Sequence, residues 1–287
     1  MSPRWRLAMA AAIFAVSAMS CGWGHPVEML HRTAPAGARA PLDVSLELPA
    51  GEIRVERLES RDFTYDLQLS YCTQHFRPNS RFVPAAGGEA PGPARLEASA
   101  ERIGSGSLSP NEPNLLLLKV PVGRVLDLRA ATGGGADLDL TGLSVRRLTL
   151  HGGAGRLQAR FKAGNPGDLE RLLVVAGTGE SLLEGLGWAG NLSLEFHGGA
   201  GNSVIDYSGA GPAEAAALVD RGSGSIEIVL PRDLGVTVSG IDPGALPPEG
   251  FKSAGKGWES VGLEEAERRL RLVLQGGAEG IRFRRLP

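Results

Sequence analysis

Four groups of residues in this chain have the types and spacing to do chemistry. The pentapeptide HGGAG occurs twice, at His151–Gly155 and His197–Gly201, each time after an apolar run. Glycines in that position can cradle a phosphate when their N–H groups converge at a helix N-terminus, usually with a lysine beside them. Gly250–Gly257, GFKSAGKG, satisfies GxxxxGK but lacks the serine or threonine that would hold Mg²⁺. Asp137 and Asp139 are two carboxylates on one face of an alternating run, the raw material of a glycosidase if one of them is held protonated in a cleft. Trp188 and Trp258 are either sugar platforms or packing residues.

The surrounding sequence decides against most of these readings. Each HGGAG leads into an alternating strand with no lysine after it, so the glycines read as a structural corner. The GxxxxGK match follows a stretch bearing Pro243, Pro247 and Pro248 and precedes no convincing helix, so it reads as chance. His151 and His197 fall at equivalent repeat positions two repeats apart, which stacking would separate by about 9–10 Å, too far to share a metal. Two cysteines and five histidines show no ligand spacing, so neither a metal nor another cofactor is expected. No aromatic-rich groove surrounds Asp137 and Asp139, and outward charges on a repetitive sheet ordinarily serve solvation; no catalytic residue is assigned. A terminal basic trio, Arg282, Arg284 and Arg285, reads as a solvated face. With a net charge of −2, the chain has no polycationic character for nucleic acid.

What positions these residues is a repeat. Aligning the last glycine of each glycine cluster gives Gly134, Gly155, Gly179, Gly201 and Gly224, at intervals of 21, 24, 22 and 23 residues. Two residues beyond each marker stand Ala136, Leu157, Ser181, Ser203 and Ile226, and four beyond stand Leu138, Ala159, Leu183, Ile205 and Ile228. Mostly polar residues separate them, as a strand with an inner and an outer face requires. Before the glycines, Leu148/Leu150, Leu172/Val174, Leu194/Phe196 and Ala217/Val219 keep a second set of columns. Two strands per repeat meeting at a glycine corner predict an all-β protein, a single-stranded right-handed parallel β-helix (β-solenoid) with about 20–24 residues per rung. Corner glycines are expected for cheap positive φ and for close approach between rungs. The 41 glycines, 19 prolines and 5% aromatics suit such a fold.

The N-terminus, MSPRWRLAMAAAIFAVSAMSC, reads as an export leader: arginines at 4 and 6, a short apolar core, then small residues. Its Ala18-Met19-Ser20-Cys21 ending is similar to a lipobox, with Ala18 where leucine is usual. Either Cys21 carries lipid and anchors the chain in a membrane, or cleavage is ordinary and Cys21 is a plain residue, free to pair with Cys72. The expected organisation is therefore a signal peptide over 1–20, a tether over 21–41 and a β-solenoid over 42–287. Within the last, N-terminal strands occupy 42–125, regular rungs 126–240, and an insertion with a terminal rung 241–287. Thr73–Pro93 and Gly104–Asn114 read as loops, and LEEAER as a helical turn.

Several runs resemble a known group: LRAATGGGADLDLTGLSVRRLTLHGGAGRLQARF, LVDRGSGSIEIVLPRDLGVTVSG, and EGFKS followed by LRLVLQGGAEGIRF. They are similar to the toast-rack family of bacterial envelope proteins, which is itself similar to Lia-type cell-wall-stress proteins and GIN-type adhesin heads. The most specific piece is Gly222–Val236, and the resemblance spans Leu42–Leu286. It departs at the last corner, where GGAEGIRF replaces GxGSIxL and predicts a frayed or irregularly capped end. The resemblance implies a surface or periplasmic β-solenoid without a set of catalytic residues. The expected role is a non-enzymatic, adhesin-like or scaffold module, exported and touching an envelope protein or polysaccharide. The alternatives are a carbohydrate-active β-helix enzyme and an envelope-stress regulator with a membrane partner.

Overall fold

The computed structural model describes residues 20–21, 25–36, 40–86, 92–104, 114–242 and 244–286. Among them there is no helix, and the strands form two mixed sheets, one of 11 strands and one of 12. The expected leader lies outside the described residues except for Ser20, as do the side chain of Cys21 and the middle of the Gly104–Asn114 loop.

In the middle of the molecule each glycine corner joins a strand of the second sheet to a strand of the first. Val125–Thr132 leads to Gly135–Asp139, Ser144–His151 to Leu157–Arg160, Arg171–Val175 to Ser181–Glu184, Ser193–His197 to Ser203–Asp206, and Glu214–Asp220 to Ile226–Leu230. These two-strand tiers pair in parallel and in register. Ala136, Leu157, Ser181, Ser203 and Ile226 are consecutive partners in one sheet. Leu148, Leu172, Leu194 and Ala217 are consecutive partners in the other. Both columns are buried, because alternate residues of each strand face the gap between the sheets.

Two further tiers continue the series. Leu42–Leu48 and Glu52–Leu58 pair with Val125–Thr132 and Gly135–Asp139, placing Ile53 beside Ala136 and Val44 beside Leu128. Arg268–Gln275 and Ile281–Arg285 pair with the Glu214–Asp220 and Ile226–Leu230 strands. Regular tiers are thus not confined to 126–240. Residues 63–121 make an excursion to the other side of the first tier, where Ala94–Arg102 and Leu115–Pro121 pair with it in parallel.

Pairing is not parallel throughout. At the N-terminal end Phe63–Cys72 runs antiparallel to Leu115–Pro121, and His25–Pro35 antiparallel to Phe63–Cys72. The stretch expected as a tether is therefore largely an edge strand of 11 residues. Backbone bonding holds it, with His31 Nε2 at 2.7 Å from Asp66 Oδ1 and the Tyr71 hydroxyl donating to Glu28 at 2.9 Å. Its mostly half-exposed side chains give no clean alternation to read. Within the expected Thr73–Pro93 loop, Phe76–Val83 is likewise an edge strand, antiparallel to Ala94–Arg102. Pro78 and its polar neighbours disguise the strand and suit an edge, where they discourage pairing with another chain.

At the other end, the 241–262 stretch holds an antiparallel hairpin, Phe251–Ala254 with Gly257–Ser260. The 261–266 segment is a turn, not a helix. Phe251 and Trp258 pack on Phe283 of the last tier, with ring centroids 5.1 and 6.3 Å away. Arg285 donates to the carbonyls of Pro231 and Leu234, each at 2.8 Å. The final tier is thereby capped by aromatic packing.

The corner glycines work by one of the two expected means. None of Gly134, Gly155, Gly179, Gly201 and Gly224 has positive φ. At each of them an added Cβ would lie closer than 3.0 Å to backbone of the preceding tier. Neighbouring carbonyls of the same corners accept bonds across tiers: Ala154 N–H donates to Gly133, Thr178 to Gly153, Ala200 to Gly177 and Ser223 to Gly199, at 3.0–3.1 Å. Backbone lies directly on backbone, so the missing side chain is the requirement.

Candidate functional site

The two HGGAG histidines stay apart. His151, Val175, His197 and Asp220 are consecutive partners on the outer face of the second sheet. His197 Nε2 lies 3.0 Å from Glu195 Oε1, and Arg171 donates to the other oxygen at 3.0 Å. These two partners, His197 first, hold the Glu195 carboxyl below its ordinary pKa. Among the described residues no group of three His, Cys, Asp or Glu side chains is placed to hold a metal ion.

Asp137 and Asp139 lie on the outer face of the first sheet, both reached by Arg160 of the next tier, at 2.7 and 3.5 Å. Burial works to raise the pKa of Asp139. Bonds from the Thr141 hydroxyl and N–H, with Arg160 and Lys162 nearby, outweigh it and leave the group below its ordinary value. That carboxylate is thus held ionised, the opposite of a general acid. Gln158 to Glu184 at 3.0 Å and Arg284 to Glu227 continue the same rung-to-rung lacing. Cys72 is a fully buried free thiol whose N–H donates to Asn114 Oδ1 at 3.2 Å. In the GxxxxGK match, Gly255 and Lys256 are the two-residue turn of the capping hairpin, which offers no helix N-terminus to a phosphate.

The two tryptophans have separate fates. Trp258 is 5% exposed and donates Nε1–H to the Ala245 carbonyl at 3.3 Å. Trp188 is 40% exposed. It sits on the edge of the stack opposite the glycine corners, where the chain returns from the first sheet to the second. This edge varies from tier to tier. Asn165 is buried there and ties three segments together, donating to the Val145 and Ala189 carbonyls at 2.7 and 3.0 Å and accepting from Val145 N–H at 2.9 Å.

Two clefts open towards the C-terminal end. One, of about 600 Å³, is lined by Ser208, Gly209, Arg232, Asp233, Glu267 and Arg268 among others. Arg268 spans it, donating to the Gly209 carbonyl and to Asp233 Oδ2, the latter at 2.6 Å. Ser208 is fixed by Asp206, which accepts from both its N–H and its hydroxyl at 2.8 and 2.9 Å. Trp188 packs over Gly209, where an added Cβ would collide with the indole. The second cleft, of about 510 Å³, is lined by Leu192, Glu214, Ala216, Leu263, Arg269 and Arg271 among others. The 600 Å³ cleft draws on segments near 208, 232, 267 and 286. No linear spacing brings these together, and none of these residues stood out in the sequence.

No protein-family profile matches the chain, and no curated protein matches it significantly. A solved structure of a "putative cell adhesion protein" from Clostridium sporogenes is similar over 91% of this chain and 100% of that one, with 14% identity and a TM-score of 0.46. That overlap is too loose to transfer a role.

Proposed function

We propose that the chain is an exported, non-enzymatic β-solenoid of the cell envelope, acting as an adhesin-like or scaffold binding module. The carrying observation is the unbroken run of in-register tiers, whose outer faces are laced by ion pairs and hydrogen bonds from one tier to the next. Such a surface is stiff and repetitive, suited to distributed contact with an extended partner in the envelope, a protein or a polysaccharide. The repeat, its glycine ladder and the toast-rack resemblance of Gly222–Val236 support right-handed coiling of the tiers. Attachment through lipid on Cys21 is part of the same reading. The Ser20–Cys21 strand pairs with the outer edge of His25–Pro35, which separates it from Cys72. Two strand spacings, about 9–10 Å, exceed the reach of a disulfide.

The test is fractionation and pull-down from intact envelope. The chain is expected in the membrane fraction, and Cys21→Ala is expected to release it. Retention of the variant would remove the lipid anchor. Turnover of cell-wall polysaccharide, abolished by Asp137→Asn or Asp139→Asn, would replace the binding module with an enzyme.

A further inference from the structure

We infer that the free edge of the last first-sheet strand, Ile281–Arg285, takes up an extended acidic segment of a partner protein as one more strand; this deepens the binding-module reading and rests on it. The strand pairs on one side only, with Ile226–Leu230. Ile226 N–H donates to the Gly280 carbonyl, and Leu286 N–H to that of Leu230. In a parallel ladder these two bonds turn the backbone groups of Arg282 and Arg284 towards Ile226–Leu230. The N–H and C=O of Phe283 and the N–H of Arg285 then point outwards. Among the described residues none of these outward groups has a partner. The 241–250 stretch approaches this tier at its two ends, Asp242 against Gly277 and Gly250 against Arg285, without bonding to Phe283. Its Pro247 and Pro248 have no N–H to offer. Ile281 and Phe283 stay half-exposed, although their partners Ile226 and Ile228 are buried. The second sheet runs on past this tier by three strands, Leu234–Ser239, Gly257–Ser260 and Phe251–Ala254, so the open edge lies at a step between the sheets. Such an edge is a template for another strand.

The charges choose the occupant. Where outer residues of neighbouring tiers pair in this sheet, opposite signs meet: Asp137 and Asp139 with Arg160, and Glu227 with Arg284. At the last tier the series stops on a cation. Arg284 reaches back to Glu227, whereas Arg282 has no ion pair or side-chain hydrogen bond among the described residues. A strand laid against this edge sets its alternate outer residues beside Arg282 and Arg284, where carboxylates are attracted and cations repelled. Its other residues face Ile281 and Phe283 and are best apolar. A second copy of the chain supplies no such strand. Two Ile281–Arg285 strands would bring arginine against arginine. Phe76–Val83 carries Arg77 and Arg81, and Phe251–Ala254 carries Lys252. The one carboxylate of His25–Pro35, Glu28, is already engaged by Tyr71. The occupant is therefore a different protein, held by main-chain bonds and selected by side chains that alternate apolar and acidic.

The experiment titrates the purified chain with a short peptide that alternates valine and glutamate. Three comparison ligands are the same peptide with lysine for glutamate, the same peptide N-methylated along its backbone, and tetragalacturonate. Calorimetry reads affinity, and amide hydrogen exchange by NMR reads the edge. The glutamate peptide is expected to bind with a Kd of about 10–100 µM. At saturation it should slow exchange of the Phe283 and Arg285 N–H groups at least about tenfold. Arg282 has no ion pair to lose, so Arg282→Glu should fold; it is expected to weaken the glutamate peptide at least about tenfold and to strengthen the lysine peptide. No binding at about 1 mM would overturn the inference. So would equal affinity for the N-methylated peptide or tetragalacturonate, unchanged exchange at Phe283 and Arg285, or an Arg282→Glu affinity equal to wild type. Protection of those two amides that grows with protein concentration, in the absence of peptide, would overturn it in favour of a second copy. Envelope pull-down separates the two claims. Retention in the envelope without peptide binding leaves the binding module and removes this edge, whereas peptide binding without retention does the reverse.

Discussion

The stack has two long edges, and they are built on opposite principles. On the glycine edge, corners are short and nearly uniform, and backbone of one tier rests on backbone of the next. On the opposite edge the connections differ in length, and side chains such as Asn165 and Trp188 fill or cover the gaps. Close backbone contact tolerates no variation, so the first edge repeats. The second is freed from that constraint, and both C-terminal clefts are bordered by its connections. Regularity carries the architecture on one side, and individual side chains shape the surface on the other.

The comparison breaks most readily at Gly199, where a Cβ would strike the Gly177 carbonyl oxygen. Gly199→Val is expected to cost about 3 kcal/mol or more, measured by urea unfolding, because backbone must move. Gly164, on the opposite edge, has open space around it and no positive φ. Gly164→Ala should change stability by less than about 1 kcal/mol and in the stabilising direction. Equal costs at the two positions would erase the distinction between the edges.

Asn165→Ala is expected to cost about 2–3 kcal/mol by the same measurement, since it takes the acceptor from Val145 N–H and the amide donor from the Val145 and Ala189 carbonyls, of which Ala189 keeps only its bond from Leu169 N–H. A cost below about 0.5 kcal/mol would mean that the irregular edge is not held by its side chains.

Asp127 sharpens the picture near the start of its strand. A bulge between Val145 and Arg147 lets both Arg146 and Arg147 reach this carboxylate, whose side chain is 9% exposed. Burial pushes its pKa up, but the two arginines outweigh burial and leave it lowered. A group with a lowered folded pKa contributes stability at neutral pH and loses it as pH falls through the folded value, below about pH 4. Asp127→Asn is therefore expected to cost about 1–2 kcal/mol at pH 7 and to flatten the acid limb of a pH–stability curve. An unchanged acid limb would show that the pair contributes nothing.

The smallest effect is expected at Tyr207, whose buried hydroxyl has no partner among the described residues. Tyr207→Phe should be neutral or stabilising within about 1 kcal/mol, read from the thermal midpoint. A larger loss would reveal a hydrogen bond inside the irregular edge.

Much of the middle of the fold was legible because parallel, in-register stacking imposes a constant period, and Ala136, Leu157, Ser181, Ser203 and Ile226 keep it. The tier at Leu42–Leu58 escaped because Pro49-Ala50-Gly51 replaces the glycine cluster and 66 residues separate it from its neighbour at Val125. His25–Pro35 and Phe76–Val83 escaped because edge strands, exposed on one side, lack a clean alternation. The sequence offered Trp188 and Trp258 as alike candidates and could not tell them apart. Exposure separates the two, and exposure depends on what the chain brings alongside.

By itself the sequence determined that this is an all-β protein with repeated two-strand units and glycine corners, since side-chain alternation and backbone crowding act locally and recur. Only the tertiary structure decided the rest. It placed the first unit in the middle of the stack, folded the N-terminal segment back as an edge strand, and closed the far end with an aromatic hairpin. It also gathered Ser208, Arg232, Asp233 and Arg268 around one cleft. Those outcomes depend on contacts between segments tens of residues apart, and long-range contacts leave no periodic trace in the chain.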